Sequence, residues 1–225
     1  MTCRGMRGVR LNAMEGKVMN VLAQVQFATA EQLAVSCAVS PDTVWNAVRV
    51  LHSAGLVEPG ADIRPRLWGL TRAGAARQGV SVPSGGRHSS WAVMQSAVHR
   101  NAVEIELRDR HPGFRFLGRL ELYRKGFNPS PGEYGGTDGA GATWLVLIDD
   151  YLMESRRLLH HWTRIHRPPR RYWPEVGRAW RQVAHHFVVF ATSPDRCARH
   201  EAFARAAGLP ADIRYLEPIW PRACA

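Results

Sequence analysis

The stretch Ser40-Pro-Asp-Thr-Val-Trp-Asn-Ala-Val-Arg-Val-Leu-His-Ser-Ala-Gly55 decides how the chain is read. Ser40 offers a side-chain oxygen to the first free helical N–H groups. Pro41 suits the first helical position, where a missing N–H costs nothing. Val44, Val48 and Leu51 recur at i, i+4 and i+7 and predict a buried stripe. Gly55 predicts a left-handed stop, after which Leu56 and Val57 leave as a strand. The opposite face carries Asp42, Thr43, Trp45, Asn46 and Arg49. A short helix with one buried stripe and a polar, Arg-bearing face suits a DNA major groove. A merely solvated face is the competing reading.

The neighbouring segments favour the groove. Met14 to Val25 has apolar residues at helical spacing and predicts a first helix. Thr29, with Gln32 three residues on, predicts the capped start of a second. Ala38 to Ser40 then form the tight turn of a helix-turn-helix. Downstream, residues 56–58 and 66–70 predict a hairpin with Arg64 and Arg66 at a basic tip. Thr71 caps a further helix that begins at Arg72. Three helices followed by a basic hairpin predict a winged helix-turn-helix over residues 13–80, with Thr43, Trp45, Asn46, Arg49, Arg64, Arg66 and Arg72 as DNA contacts.

Composition agrees with a polyanionic partner. The 225 residues hold 30 Lys plus Arg against 19 Asp plus Glu, a formal charge of +11. The basic residues are nearly all Arg, since Lys17 and Lys125 are the only lysines. The four cysteines are widely spaced and form neither a metal-ligand nor a disulfide pattern, as expected of reduced thiols in the cytoplasm. No apolar run reaches the ~18 residues of a membrane span. Residues 1–12 form a basic arm in this reading, and the Gly-, Ser- and Pro-rich stretch 81–88 forms a linker.

Residues 89–225 change character. His88 to Arg110 predicts one or two helices and Phe114 to Tyr123 a strand, and the stretch 132–141 is Gly-rich and includes Asp138. Thr143 to Asp150 is an apolar run ending in two acids, as in a strand buried on both faces. A helix over 152–165, a second buried strand over 186–192 and a closing helix over 196–207 complete an α/β domain. The fold class is therefore α+β: a winged helix-turn-helix followed by a small α/β domain.

This order of elements resembles the replication-relaxation family of plasmids and integrative elements. The resemblance rests on Phe27-Ala-Thr-Ala-Glu-Gln-Leu33, Val50-Leu-His-Ser-Ala-Gly-Leu-Val57, Leu67-Trp-Gly-Leu-Thr-Arg-Ala-Gly74, Leu145-Val-Leu-Ile-Asp-Asp150 and Val188-Val-Phe-Ala-Thr-Ser-Pro-Asp-Arg196. It implies that the second domain is a reduced PD-(D/E)XK nuclease fold. Such nucleases hold a divalent metal on carboxylates and use a Lys to steady the charge developing on the phosphate.

Glu121, Asp138, Asp149 and Asp150 are the candidate acids. Asp138 lacks the preceding Pro, and Tyr151 and Leu152 stand where the Lys should be. A non-catalytic domain without metal or cofactor is the expectation. The rival is a magnesium- or manganese-dependent endonuclease using Glu121, Asp138 and Asp150. Asp149 and Asp150 also suit the start of a following helix, and the pairs His160-His161 and His185-His186 have no obvious third metal ligand.

Residues 156–181 add eight arginines against one acid, with Trp162, Tyr172, Trp173 and Trp180 interleaved. Arg164, Arg167, Arg170 and Arg171 there are candidate phosphate contacts, with aromatics for stacking. The expected partner is double-stranded DNA of a plasmid or mobile element, read to control replication, transfer or transcription. A homodimer and a replication or transfer protein are further expected partners, and an adaptor that recruits a protein to DNA is a third reading.

Overall fold

The computed structural model describes residues 10–60, 64–81, 91–125, 127, 129, 132–150, 184–208 and 210–220. Helices and strands are mixed, in two sheets, and the chain divides into two compact units after Asn101.

The first unit runs α1 (Ala13–Val25), β1 (Phe27–Thr29), α2 (Ala30–Cys37), α3 (Pro41–Ser53), β2 (Val57–Pro59), β3 (Leu67–Leu70) and α4 (Arg72–Gln78). Local side chains fix each helix start. Asn12 Oδ1 accepts from the Glu15 N–H at 2.9 Å, and the Glu15 carboxylate accepts from the Asn12 N–H at 2.9 Å. Thr29 and Gln32 make the same reciprocal pair at α2. Ser40 Oγ accepts from the Thr43 N–H, and Thr71 Oγ1 from the Gly74 N–H. Asn12 is thus part of the first unit rather than of an arm, and residues 1–9 lie outside the described residues.

β3 lies between β1 and β2, antiparallel to both. β1 was not legible as a strand, because its three residues pair with Leu67–Gly69 some forty positions away. Val18, Leu22, Leu33, Val44, Val48, Leu51, Leu56 and Trp68 share one buried core. Gly74 seats α4 there: a Cβ on it would lie 2.0 Å from the Leu56 carbonyl oxygen.

α5 (Trp91–Arg110) is one continuous helix, and the division between units falls inside it. Its first half belongs to the first unit, where Gln32 Nε2 donates to the Val98 carbonyl at 2.9 Å and Asn101 Nδ2 to that of Phe27 at 2.6 Å. Val103 and Leu107 enter the second core. The units therefore part beyond the 81–88 stretch, of which residues 82–88 lie outside the described residues. Gly and Pro mark where a chain can bend, whereas helix packing decides where a unit ends.

The second unit continues with β4 (Arg115–Phe116), α6 (Arg119–Arg124), β5 (Glu133–Thr137), β6 (Thr143–Asp149), β7 (His186–Ala191), α7 (Pro194–Ala207) and β8 (Ala211–Tyr215). The sheet order is β4-β5-β6-β7-β8, antiparallel through β6 and parallel from β6 to β8. Trp144, Val146, Ile148, Val188 and Phe190 pack with Val103 and Leu107 on one face. Leu145, Leu147 and Val189 pack with Leu122, Phe127 and Ala204 on the other. Burial on both faces is why β6 is apolar along its whole length.

One expectation needs correction, and two strands lie where the sequence showed none. The strand over 114–123 ends at Phe116, and α6 follows because the Glu121 carboxylate accepts from the Gly118 N–H at 2.9 Å and starts a helix. The Gly-rich 132–141 contains β5, whose Gly136 leaves room for the Phe114 ring; a Cβ there would lie 2.6 Å from it. β8 was not foreseen at all. The helix expected over 152–165 and the basic stretch 156–181 lie outside the described residues.

Candidate nucleic-acid interface

The outer face of α3 is built by the same periodicity that buries its inner face. With Val44, Ala47, Val48 and Leu51 inside, Asp42, Asn46, Arg49 and Ser53 form the row pointing away from the core. All four are exposed. Thr43 and Val50 flank the row on one side, Trp45 and His52 on the other. The Arg49 guanidinium donates to Asn46 Oδ1, so two of the expected DNA-contacting side chains are held together. Val50 was not singled out in the sequence, yet it is an exposed large apolar residue on this face.

Trp68 of β3 braces the Trp45 flank. Its ring lies edge-on to Trp45 with centroids 5.9 Å apart, and to His52 at 5.8 Å. The Arg66 guanidinium sits over the same ring at 6.0 Å. His52 Nδ1 is also 3.0 Å from the Val57 carbonyl oxygen. The outer face of α3 and the β2–β3 hairpin therefore form one surface. Arg64 and Arg72 are exposed in the same unit. Trp45 and His52 stand at i and i+7 on one side of α3, and only pairing of β2 with β3 brings Trp68 to them.

The candidate acids of the second unit are not brought together. Asp138 follows β5 and closes a turn: Oδ1 accepts from the Ala140 and Ala142 N–H groups, and Oδ2 from Trp144 Nε1 at 2.9 Å. The indole bond, with the backbone bonds, holds its carboxyl below the usual carboxylate range. That turn lies at the start of β6, whereas Asp149 and Asp150 lie at its end. At about 3.3 Å per residue, seven strand residues separate them by roughly 20 Å. Glu121 forms a two-pronged pair with Arg115 at 2.7 and 3.0 Å. This pair, with the Gly118 N–H, lowers the Glu121 pKa to about 2. A joint metal site of Glu121, Asp138 and Asp150 does not fit this topology. No group of three or more His, Cys, Asp or Glu residues among the described residues is placed to hold a metal ion.

Asp149 does something else. Its side chain is fully buried, with Oδ1 2.5 Å from Arg196 Nη1 and Oδ2 3.0 Å from His200 Nε2. Burial pushes its pKa up, but the His200 and Arg196 hydrogen bonds and the Arg196 charge outweigh burial and leave the carboxyl below its ordinary range. Arg196 and His200 stand one turn apart on α7, so the cluster ties that helix to the end of β6. Arg196 appeared in the sequence only as part of a motif, and His200 not at all. Asp150 and Glu133 are buried as well; Glu133 stands opposite Leu147 on β5, at the Asp149 end of the sheet. Arg164, Arg167, Arg170 and Arg171 lie outside the described residues.

No helix among the described residues is long and apolar enough to cross a membrane. No protein-family model matches the sequence, and no curated protein matches it at a significant level.

Proposed function

We propose that the first unit is a winged helix-turn-helix that binds double-stranded DNA, with α3 in the major groove and the β2–β3 hairpin as the wing. The observation that carries this reading is the exposed row Asp42, Asn46, Arg49 and Ser53, braced along its flank by Trp45, Trp68 and Arg66. A face built only to be solvated needs no such brace, whereas a reading face must keep its side chains in register with base edges. The overall charge of +11 supplies the sequence-independent attraction. In this reading the protein belongs to a plasmid or other mobile element and controls its replication, transfer or transcription.

Binding to random duplex DNA over a salt series tests the proposal. The native protein should bind with an affinity that falls steeply as salt rises. Arg64→Ala should flatten the log–log slope by about 0.9, one phosphate contact, and weaken all sequences alike. A slope unchanged by Arg64→Ala would remove the wing from the interface, and no retention of duplex DNA at low salt would end the proposal.

The second unit is, in this reading, a non-catalytic partner of the first. Supporting this are the separation of Asp138 from Asp150 along β6 and the engagement of both Asp149 oxygens by Arg196 and His200. Supercoiled plasmid incubated with magnesium or manganese should remain uncut. Nicking abolished by Asp150→Ala would instead establish the endonuclease.

A further inference from the structure

We infer that Asn46 and Arg49 act as one coupled reader of a purine–purine step, adenine and guanine on adjacent base pairs of one strand. The inference rests on the proposed placement of α3 in the major groove and names the DNA it would select there.

Three observations converge. First, Asn46 and Arg49 are three residues apart on α3, a rise of about 4.5 Å along the helix axis. Stacked base pairs rise 3.4 Å, so neighbouring pairs lie within reach of the two side chains. Second, their chemistry is complementary to the two purines. An Asn amide pairs with the N6 and N7 edge of adenine, and an Arg fork with the O6 and N7 edge of guanine. Third, the Arg49 guanidinium donates to Asn46 Oδ1.

That bond consumes one of five guanidinium donors and one of two lone pairs on the amide oxygen. Enough remain for a fork on guanine and for both adenine bonds. It also fixes the amide, with Oδ1 toward Arg49, so that the donor and acceptor of Asn46 have assigned positions before DNA arrives. Two independent readers would each lose rotamer freedom on binding, whereas these two lose part of it in the free protein.

The surroundings fit a reader of this kind. Asn46 and Arg49 are flanked by Thr43 and Val50 on one side, which offer methyl groups to a thymine, and by Trp45 on the other. The Asp42 carboxylate, one turn before Asn46, only accepts, and so suits a base amino group rather than a phosphate. The coupled pair is therefore the purine-selective part of the row.

Coupling makes a distinctive prediction. Asn46→Ala should remove the adenine contact and also release Arg49, relaxing selection at the guanine position. Each single substitution should weaken binding to the selected site by roughly 5- to 150-fold. The double substitution should weaken it by clearly less than the product of the two.

Selection of duplex DNA from a random library by the full-length chain, repeated with Asn46→Ala, Arg49→Ala and the double variant, reads this directly. Both residues are exposed, and matching thermal unfolding of the variants checks that the fold is intact. The expected result is an enriched motif containing adjacent A and G on one strand, with both positions relaxed by Asn46→Ala. A motif without that step overturns the inference. So does Asn46→Ala relaxing a single position while guanine selection persists, or single losses that multiply in the double variant; in these cases the DNA-binding reading stands. No enrichment by the native chain overturns both.

Discussion

Asp149→Ala is expected to destabilise the second unit by about 3–5 kcal/mol, because it leaves the Arg196 guanidinium and the buried His200 ring without the carboxylate that both engage. Denaturant unfolding of the full chain, followed by a probe in the second unit, measures it. Asp149→Asn should cost less, since the amide oxygen still accepts from one partner. The same cluster sets an acid limit. The folded pKa of Asp149 is depressed, so the folded state holds the ionised carboxylate more strongly than the unfolded chain does. Its contribution is complete above the unfolded value of about 3.9 and is lost as pH falls through the lower folded value. The native protein should therefore lose stability below about pH 4 more steeply than Asp149→Asn. Equal stability of Asp149→Ala and native protein would show that α7 is held by its apolar contacts alone.

Trp68→Ala is the second large effect, about 3–5 kcal/mol on the first unit. Trp68 is buried on the central strand β3, and removing it opens a cavity between the hairpin and α3. Trp45 and His52 lose the ring they both abut, and Arg66 loses its seat. Trp68→Phe isolates the cause. The indole Nε1 of Trp68 is buried without a hydrogen-bond partner among the described residues, so phenylalanine forfeits packing area and no hydrogen bond. It should retain most of the stability. If the two variants were equally destabilised, shape alone would not explain the brace. If the brace also keeps the α3 face in register, a temperature at which Trp68→Phe is folded should still show weakened selection of DNA, with salt dependence little changed. Loss of stability without loss of selection would confine Trp68 to the core.

The two substitutions probe different kinds of information. What holds the first unit together is largely local, whereas what holds α7 on the second sheet joins residues about fifty positions apart.

That difference explains what could be read in advance. The sequence by itself determined most helix starts of the first unit, because their caps lie within three residues of their partners: Thr29 with Gln32, Ser40 with Thr43, Thr71 with Gly74. It also determined which face of α3 is buried, through the 3.6-residue period, and that β6 and β7 are interior strands, through their unbroken apolar runs. Only the tertiary structure decided the rest. β1, β5 and β8 are strands because of what they pair with, and their own composition carries no strand signal strong enough to show it. The acids Glu121, Asp138 and Asp149 look alike in sequence. Their roles were set by neighbours that sequence spacing does not place: Arg115 beside the first, the Trp144 indole beside the second, Arg196 and His200 beside the third. A carboxylate's chemistry is decided by whatever cation, donor or solvent the fold brings within about 4 Å. That distance is fixed by packing, and packing is the one quantity a linear pattern does not contain.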